Sequence, residues 1–321
     1  MAKLSPEDAL VRRISRRFPR FRGSGVRLAA GDDAALWQPR GGFQTALTSD
    51  WFLEGSHFLP HLHPPDSVGW KCLARAASDL AAIGGTPRCF LLNVALPSSC
   101  TGRWLDGFLT GLRRAAKFLD CQLAGGDTTR HERIQICVTV IGEVEKDKAV
   151  LRSGARPGDL LFVTGTLGLA ELGLKQLKRG SRAKTAALRK HFYPEPRIAL
   201  GQWLAENRFA TAMMDISDGL STDLARMCEA SGVGAVITEG ALPVPAALPA
   251  AEATRLALYG GDDYELLFAV PAGRLRALKQ TLRQRRIQCI GAITKKKKLL
   301  LSNRERRTEQ LLPRGWDPFR R

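Results

Sequence analysis

Asp215–Leu224 reads DISDGLSTDL and brings three aspartates and two serines into ten residues. The pattern recurs along the chain: GDD at Gly31–Asp33, TSD at Thr48–Asp50, SD at Ser78–Asp79, GGDTTR at Gly125–Arg130 and GGDD at Gly260–Asp263. Most of these acids follow Gly, Ser or another Asp and lie beside an apolar run, a setting expected where a strand or helix ends. Singly, each has a plain structural role. Asp218 can cap the helix that starts at Gly219. GDD and GGDD can be turns, with glycine at positive φ and aspartate bonded to its own backbone. Converging, they describe a site. Two carboxylates about 4 Å apart repel by roughly 4 kcal/mol at an effective dielectric near 20. Such a cluster needs cations, and metals rather than lysines and arginines are the partners expected for it. Carboxylate and hydroxyl oxygens suit a hard ion such as Mg2+ rather than zinc. Mg2+ is commonly shared with substrate phosphates, and the neighbouring glycines would let phosphate approach backbone N–H groups. The chemistry expected is magnesium-dependent handling of phosphate.

The usual nucleotide loops are missing. The chain has no GxxxxGK(S/T), no kinase-type HRD loop and no GxGxxG, and TGTLG at Thr164–Gly168 is too short to carry weight. His57, His61 and His63 offer zinc ligands, but neither an HExxH nor a cysteine partner accompanies them, and their proline-rich loop is a poor rigid scaffold.

The elements that must position these acids alternate. A helix is expected from Pro6 to about Phe18, and strands at Gln44–Thr48, Arg88–Leu96 and Ile134–Val144. Between the strands, one helix runs from an Asp66 N-cap to Gly84 with Pro87 closing it, and another covers about Gly102–Leu119. Such alternation makes an α/β or α+β layer domain. LRSGARPGD, Leu151–Asp159, is a polar hinge and sets the division into domains 1–150 and 151–321. Beyond it, LLFVTG, Thr211–Met214, Gly234–Thr238, Glu265–Val270 and Gln288–Ile293 read as strands. Helices are expected at Pro196–Glu206, after Gly219 and near Gly273–Gln284, the second because Leu220, Leu224, Met227 and Cys228 recur at helical spacing. LPVPAALP is a loop.

At 321 residues, 44% hydrophobic and 25% charged, the chain is long enough for two globular domains. No apolar run approaches the roughly 18 residues of a membrane helix. The arginine-rich start lacks the apolar core of a secretory signal, and Glu7 and Asp8 argue against a transit peptide. Seven cysteines without a CxxC pair fit a reducing cytoplasm. The net charge of +18 invites a nucleic-acid reading. Yet there is no zinc finger and little aromatic interleaving, so specific nucleic-acid binding is not expected. Solvated surface or attraction of small anions explains the charge as well.

Eight ordered motifs, GDDAAL, TSDWFLEGSHF, SDLAAIGGTP, GGDTTR, LRSGARPGD, MDISDGLSTDL, GGDDYELLF and GWDPF, resemble those of the thiamine-monophosphate kinases over nearly the whole length. The resemblance implies transfer of the ATP γ-phosphoryl group to thiamine monophosphate. It implies a two-domain aminoimidazole ribonucleotide synthetase-like fold. In that fold the N-terminal α/β domain would pair across a two-fold axis into a dimeric barrel, and the C-terminal α+β domain would close the substrate cleft of a homodimer. Carried over motif by motif, Asp33, Thr48, Ser49, Asp50, Asp79, Asp127, Asp215 and Asp218 would hold several Mg2+ ions, with Asp32 a weaker candidate. Gly126, Asp127, Arg152 and Ser217 would contact ATP. His57, Asp262 and Trp316 would contact thiamine monophosphate, Trp316 by stacking. No residue is implied as a general base, because the acceptor is already a phosphate. Ala76 stands where the family commonly has Asn, and Asp262 where it commonly has Glu, one methylene longer.

Sister enzymes of the superfamily are the near alternatives. A selenophosphate synthetase needs a reactive cysteine or selenocysteine near its N-terminus, but the first cysteine here is Cys72, in an expected helix. The hydrogenase-maturation relative uses a C-terminal cysteine, and none follows Cys289. Motifs of the purine-pathway members are not found. A basic nucleic-acid-binding protein that has lost catalysis is the alternative from another class, and the complete acid set argues against it.

Overall fold

The computed structural model describes residues 6–18, 23–29, 34–181, 183–277, 284–303, 305 and 307–320. Its contacts divide the chain into two units, residues 1–80 with 85–147 and residues 81–84 with 148–321.

Unit 1 opens with α1 (Pro6–Ser15) and a ribbon of β1 (Val26–Leu28) and β2 (Leu36–Trp37). Its main sheet has β3 (Phe43–Leu53), β4 (Thr86–Leu96), β5 (Gln122–Arg130) and β6 (Gln135–Glu145) in the order β3-β6-β4-β5. Only β4 and β5 run parallel, and α3 (Arg103–Leu119) makes the crossover such a pair requires. In β6, Ile136, Val138 and Val140 are buried while Cys137, Thr139 and Ile141 are half-buried, the period-two pattern of a sheet with one covered face. α2 (Pro65–Ala82) lies along that face. α2 and α3 touch backbone to backbone: a Cβ on Gly111 would sit 1.7 Å from the Asp66 carbonyl oxygen. The opposite face of β3 exposes Leu47 (68%) and Trp51 (57%).

Unit 2 holds β7 (Asp159–Thr164), α4 (Leu169–Lys178), α5 (Ala186–Phe192), α6 (Ile198–Glu206), β8 (Ala212–Ile216), α7 (Leu220–Ser231), β9 (Gly234–Thr238), α8 (Ala250–Tyr259), β10 (Glu265–Pro271), β11 (Ile287–Thr294), β12 (Leu299–Ser302) and β13 (Thr308–Gln310). The sheet order is β13-β12-β9-β11-β7-β10-β8, antiparallel except where β12 meets β9. Alternate residues of the central strands feed two cores. Leu161, Val163, Met214, Ile216 and Leu267 pack with Leu224 and Met227 of α7. Phe162, Met213, Leu266 and Phe268 pack with Leu200 and Leu204 of α6. These strands are apolar on both faces because both faces are covered, which makes their sequence a continuous hydrophobic run.

Several elements differ from expectation. β3 runs five residues past Thr48, through the TSD motif, because β6 pairs with it from Phe43 to Leu53. GGDTTR, whose aspartate is expected where an element ends, lies inside β5, paired with β4 as far as Arg130. α2 starts at Pro65, so Asp66 lies in its first turn rather than at its cap. Helices α4, α5 and α8 carry weak local signals and take their place from packing. The helix expected over 273–284 extends through residues 278–283, which lie outside the described set.

One buried charge ties unit 2 together. Glu265, 1% exposed at the start of β10, accepts two bonds from Arg197, at 2.7 and 2.6 Å, and pairs with Lys190 of α5. The Thr164 hydroxyl also donates to it. Burial alone would raise the carboxyl pKa, but Lys190 and Arg197 outweigh it and hold the group below the ordinary glutamate value. This stabilisation is present above about pH 4.5 and is lost as pH falls through the lower folded-state value. Glu265→Gln is expected to cost about 3 kcal/mol, since it strands two cations at a buried site. Urea unfolding at pH 7 and below 4 measures it, with the gap between variant and wild type narrowing in acid.

Candidate functional site

Unit 1 supplies seven of the expected residues that the structure describes. Thr48 and Asp50 project from β3 toward α2, where the Thr48 hydroxyl donates to Asp79 Oδ2 and Arg75 Nε donates to Asp50 at 3.3 Å. Ser49 is on the other face, its hydroxyl 2.9 Å from that of Thr139, and so is not brought together with Asp50. Asp127 shares a cross-sheet row with Asn93, Cys137 and Trp51, also the row-set of the uncovered face. It is exposed, and its Oδ1 accepts the Thr128 N–H at 2.9 Å. Gly126 beside it has φ 146°, and a Cβ there would sit 1.8 Å from the Leu92 carbonyl oxygen, so only glycine fits. His57 Nδ1 accepts the Leu53 N–H at 3.0 Å, which fixes the ring at the end of β3. Asp32 and Asp33 lie outside the described residues.

Unit 2 supplies the rest, and most of it converges on one turn. Asp215 is buried at the end of β8; Ser217, Asp218 and Gly219 lead into α7. The N–H groups of Ser217, Asp218 and Gly219 all donate to Asp223 Oδ2, each at 3.1 Å. The turn's carbonyls serve other segments. Ile216 and Ser217 accept the N–H groups of Tyr264 and Asp262, and Asp218 accepts that of Trp316, all at 2.8 Å. The tail is further held by Gly315 N–H to Thr222 Oγ1 at 3.0 Å and Arg314 N–H to Ser221 Oγ at 3.3 Å. Asp218, Asp262 and Trp316, far apart in sequence, are thus neighbours, with the Trp316 ring half exposed. Arg152 is exposed in the loop before β7, where its carbonyl accepts the Ser231 hydroxyl at 3.3 Å.

Four expectations need correction. Asp50, Asp79 and Asp127 sit inside elements rather than at their ends, because strand pairing and helix packing carry through the polar positions. Asp218 does not cap α7: the cap residue is Gly219, and Asp223 from within the helix takes the exposed amides instead. Backbone N–H groups at this turn are therefore engaged by protein and do not await phosphate. Finally, arginines do partner these acids. Arg226 Nη1 lies 2.6 Å from Asp218 and 2.8 Å from Asp223, and Arg75 meets Asp50. Burial pushes Asp223 up to about 7, with the Asp218 charge adding to it and Arg226 and the amides opposing.

Asp223, Arg226, Arg75 and Tyr264 are site residues that local spacing did not single out. Asp263, next to Asp262, is a further one. Fully buried, it accepts the N–H groups of Gly168 and Ala170 and so anchors the GGDD loop to the start of α4. Burial raises it to about 7 against the pull of Lys190.

Among the described residues, no group of three or more His, Cys, Asp and Glu side chains is assembled around a common metal position. Each unit brings carboxylate and hydroxyl oxygens together, Asp79 with Thr48 and Asp262 with Tyr264, and such oxygens suit a hard divalent cation. Buried Ser78 Oγ and Thr128 Oγ1, beside Asp79 and Asp127, have no hydrogen-bond partner among the described residues.

Residues 31–144 match the family model of the AIR synthase related protein N-terminal domain, and residues 156–301 that of its C-terminal domain. The thiamine-monophosphate kinase of Escherichia coli K12 is 37% identical over 319 residues, 95% of this chain and 97% of that one. That of Synechococcus elongatus is 37% identical over 298 residues, 90% of this chain and 91% of that one. Among solved structures, thiamine-monophosphate kinase from Stenotrophomonas maltophilia K279a superposes with a TM-score of 0.82 at 34% identity, covering 92% of this chain and 96% of that one. AaThiL complexed with AMPPCP and TMP gives 0.78 at 32%, covering 91% and 92%.

Asp223→Ala removes one acceptor from three amides at once. It is expected to cost about 3 kcal/mol in urea unfolding and to speed hydrogen exchange at Ser217, Asp218 and Gly219. Unchanged exchange at those three amides would refute the role given to Asp223.

Proposed function

The chain belongs to the thiamine-monophosphate kinase family, and from that premise we propose that it moves the γ-phosphoryl group of ATP onto the phosphate of thiamine monophosphate, giving thiamine diphosphate and ADP. It is a kinase whose acceptor is itself a phosphate. The observation that carries this reading is the single turn at which Asp218, Asp262 and Trp316 meet, in a chain aligned with that family along nearly its whole length.

Phosphoryl transfer asks a protein mainly for in-line positioning and for neutralised charge. Asp33, Thr48, Ser49, Asp50, Asp79, Asp127, Asp215 and Asp218 are the side chains proposed to hold Mg2+. All offer oxygen, and the fit rests on that donor chemistry. Mg2+ supplies charge stabilisation on the transferring phosphoryl oxygens. Gly126, Asp127, Arg152 and Ser217 are proposed to bind ATP, Arg152 as a cation for phosphate. His57, Asp262 and Trp316 are proposed to bind the acceptor. Because His57 Nδ1 accepts the Leu53 N–H, the neutral ring carries its proton on Nε2, a donor suited to a phosphate oxygen. The half-exposed Trp316 ring suits a cationic thiazolium.

We further propose a homodimer formed through the exposed apolar face of β3, which carries Leu47 and Trp51. A cytoplasmic setting is supported by seven unpaired thiols. No helix among the described residues is long and apolar enough to cross a membrane.

Incubation of the purified chain with ATP, Mg2+ and thiamine monophosphate is expected to yield thiamine diphosphate and ADP, and no product would sink the assignment. Asp127→Asn is expected to lower kcat by about a hundredfold or more while leaving the thermal midpoint within a few degrees; turnover near wild type would remove Asp127 from the ligand set. Trp316→Ala is expected to raise KM for thiamine monophosphate about tenfold with little change for ATP. An equal rise in both would detach the tail from the acceptor.

A further inference from the structure

The loop between α8 and β10 contains two residues that hold left-handed backbone without being glycine, Asp262 at φ 68° and Tyr264 at φ 48°. Side-chain-bearing residues avoid this region unless their surroundings over-determine it. Here two main-chain bonds do so, from Asp262 N–H to the Ser217 carbonyl and from Tyr264 N–H to the Ile216 carbonyl, each 2.8 Å. The conformation has a consequence for side chains. The Tyr264 ring is buried, 2% exposed, and its phenol reaches back to donate to Asp262 Oδ1 at 2.8 Å. A phenol held in a packed ring has one hydroxyl position to offer, so the Asp262 carboxylate is fixed in rotation by a rigid donor.

The chemistry of that carboxylate limits what it can receive. An ionised carboxylate only accepts hydrogen bonds, and it repels a phosphate group. Glu171 of α4 adds a second acid at the same loop, since a Cβ on Gly260 would lie 2.8 Å from the Glu171 Cβ. Lys175 and Lys178 of α4 counter the Glu171 charge.

We propose that Tyr264 is a positioning residue that locks the Asp262 carboxylate onto the organic, N–H-bearing or cationic, part of the acceptor rather than onto its phosphate. The proposal rests on the assignment of Asp262 to the acceptor site made above. It also answers what a carboxylate one methylene shorter than glutamate does at this position: a second side chain orients it.

Tyr264→Phe keeps the buried ring and removes only the donor. Steady-state kinetics with thiamine monophosphate, together with inhibition by thiamine, which keeps the organic part and lacks the phosphate, test the proposal. The variant is expected to weaken both compounds by the same factor, about five- to tenfold, with kcat and KM for ATP within about twofold of wild type. Asp262→Asn, which keeps the shape and removes the charge, is expected to weaken both compounds likewise. The double variant is expected to be no weaker than Asp262→Asn alone, because the phenol acts through the carboxylate. Wild-type affinity in Tyr264→Phe, loss for thiamine monophosphate without loss for thiamine, or additive losses in the double variant would each overturn the proposal. A wild-type enzyme that did not use thiamine monophosphate at all would instead overturn the underlying assignment.

Discussion

Three consecutive N–H groups, those of Ser217, Asp218 and Gly219, point at one carboxylate oxygen of Asp223. A helix start leaves its first amides without intrahelical partners, and here the partner comes from the helix's own first turn. The consequence reaches well past α7. Once the amides are fixed, the carbonyls of Ile216, Ser217 and Asp218 are fixed too, and those carbonyls are the docking points of Tyr264, Asp262 and Trp316. Two segments remote in sequence therefore take their positions from a single buried acid.

The same acid shows how a chain of net charge +18 accommodates clustered carboxylates. Asp223 is buried, and Arg226 bridges it to Asp218. Glu265 is buried and shared between Lys190 and Arg197, and Asp50 leans on Arg75. Desolvation opposes each charge, and a neighbouring cation opposes desolvation. Asp218 and Asp50 are proposed cation ligands that already have an arginine in reach, so a divalent ion would compete with or add to a guanidinium. Other basic residues, such as Lys295–Lys298, lie on exposed surface and take no part in these pairs.

The acid motifs were legible from local spacing because each is short and continuous. So were the strands around Arg88–Leu96 and Glu265–Val270, whose apolar runs leave little choice. What escaped was set by contacts between distant residues. Asp223 sits between Leu220 and Leu224 and looks like an ordinary helical residue until the preceding turn folds back over it. Asp263 caps α4 across 95 residues of sequence. GGDTTR carries no strand signal of its own, and pairing with β4 along Cys89–Leu96 makes the segment a strand. Periodicity also places Asp50 on a covered face and Ser49 on an uncovered one, but only if β3 continues past Thr48, which depends on the length of β6.

The turn's main chain is spent on the fold. Its amides at 217, 218 and 219 go to Asp223, and its carbonyls at 216, 217 and 218 go to the GGDD loop and the tail; the Gly219 carbonyl accepts Thr222 and Asp223 N–H groups inside α7. A phosphate-binding loop of the glycine-rich kind works the opposite way, leaving a row of amides for the ligand. Here that route is closed at the turn where acids and aromatic tail meet. At this turn an anionic group would then have to be held by side chains and by the cations those side chains gather. That accords with a chain that has no glycine-rich phosphate loop and carries aspartates in short motifs on both units.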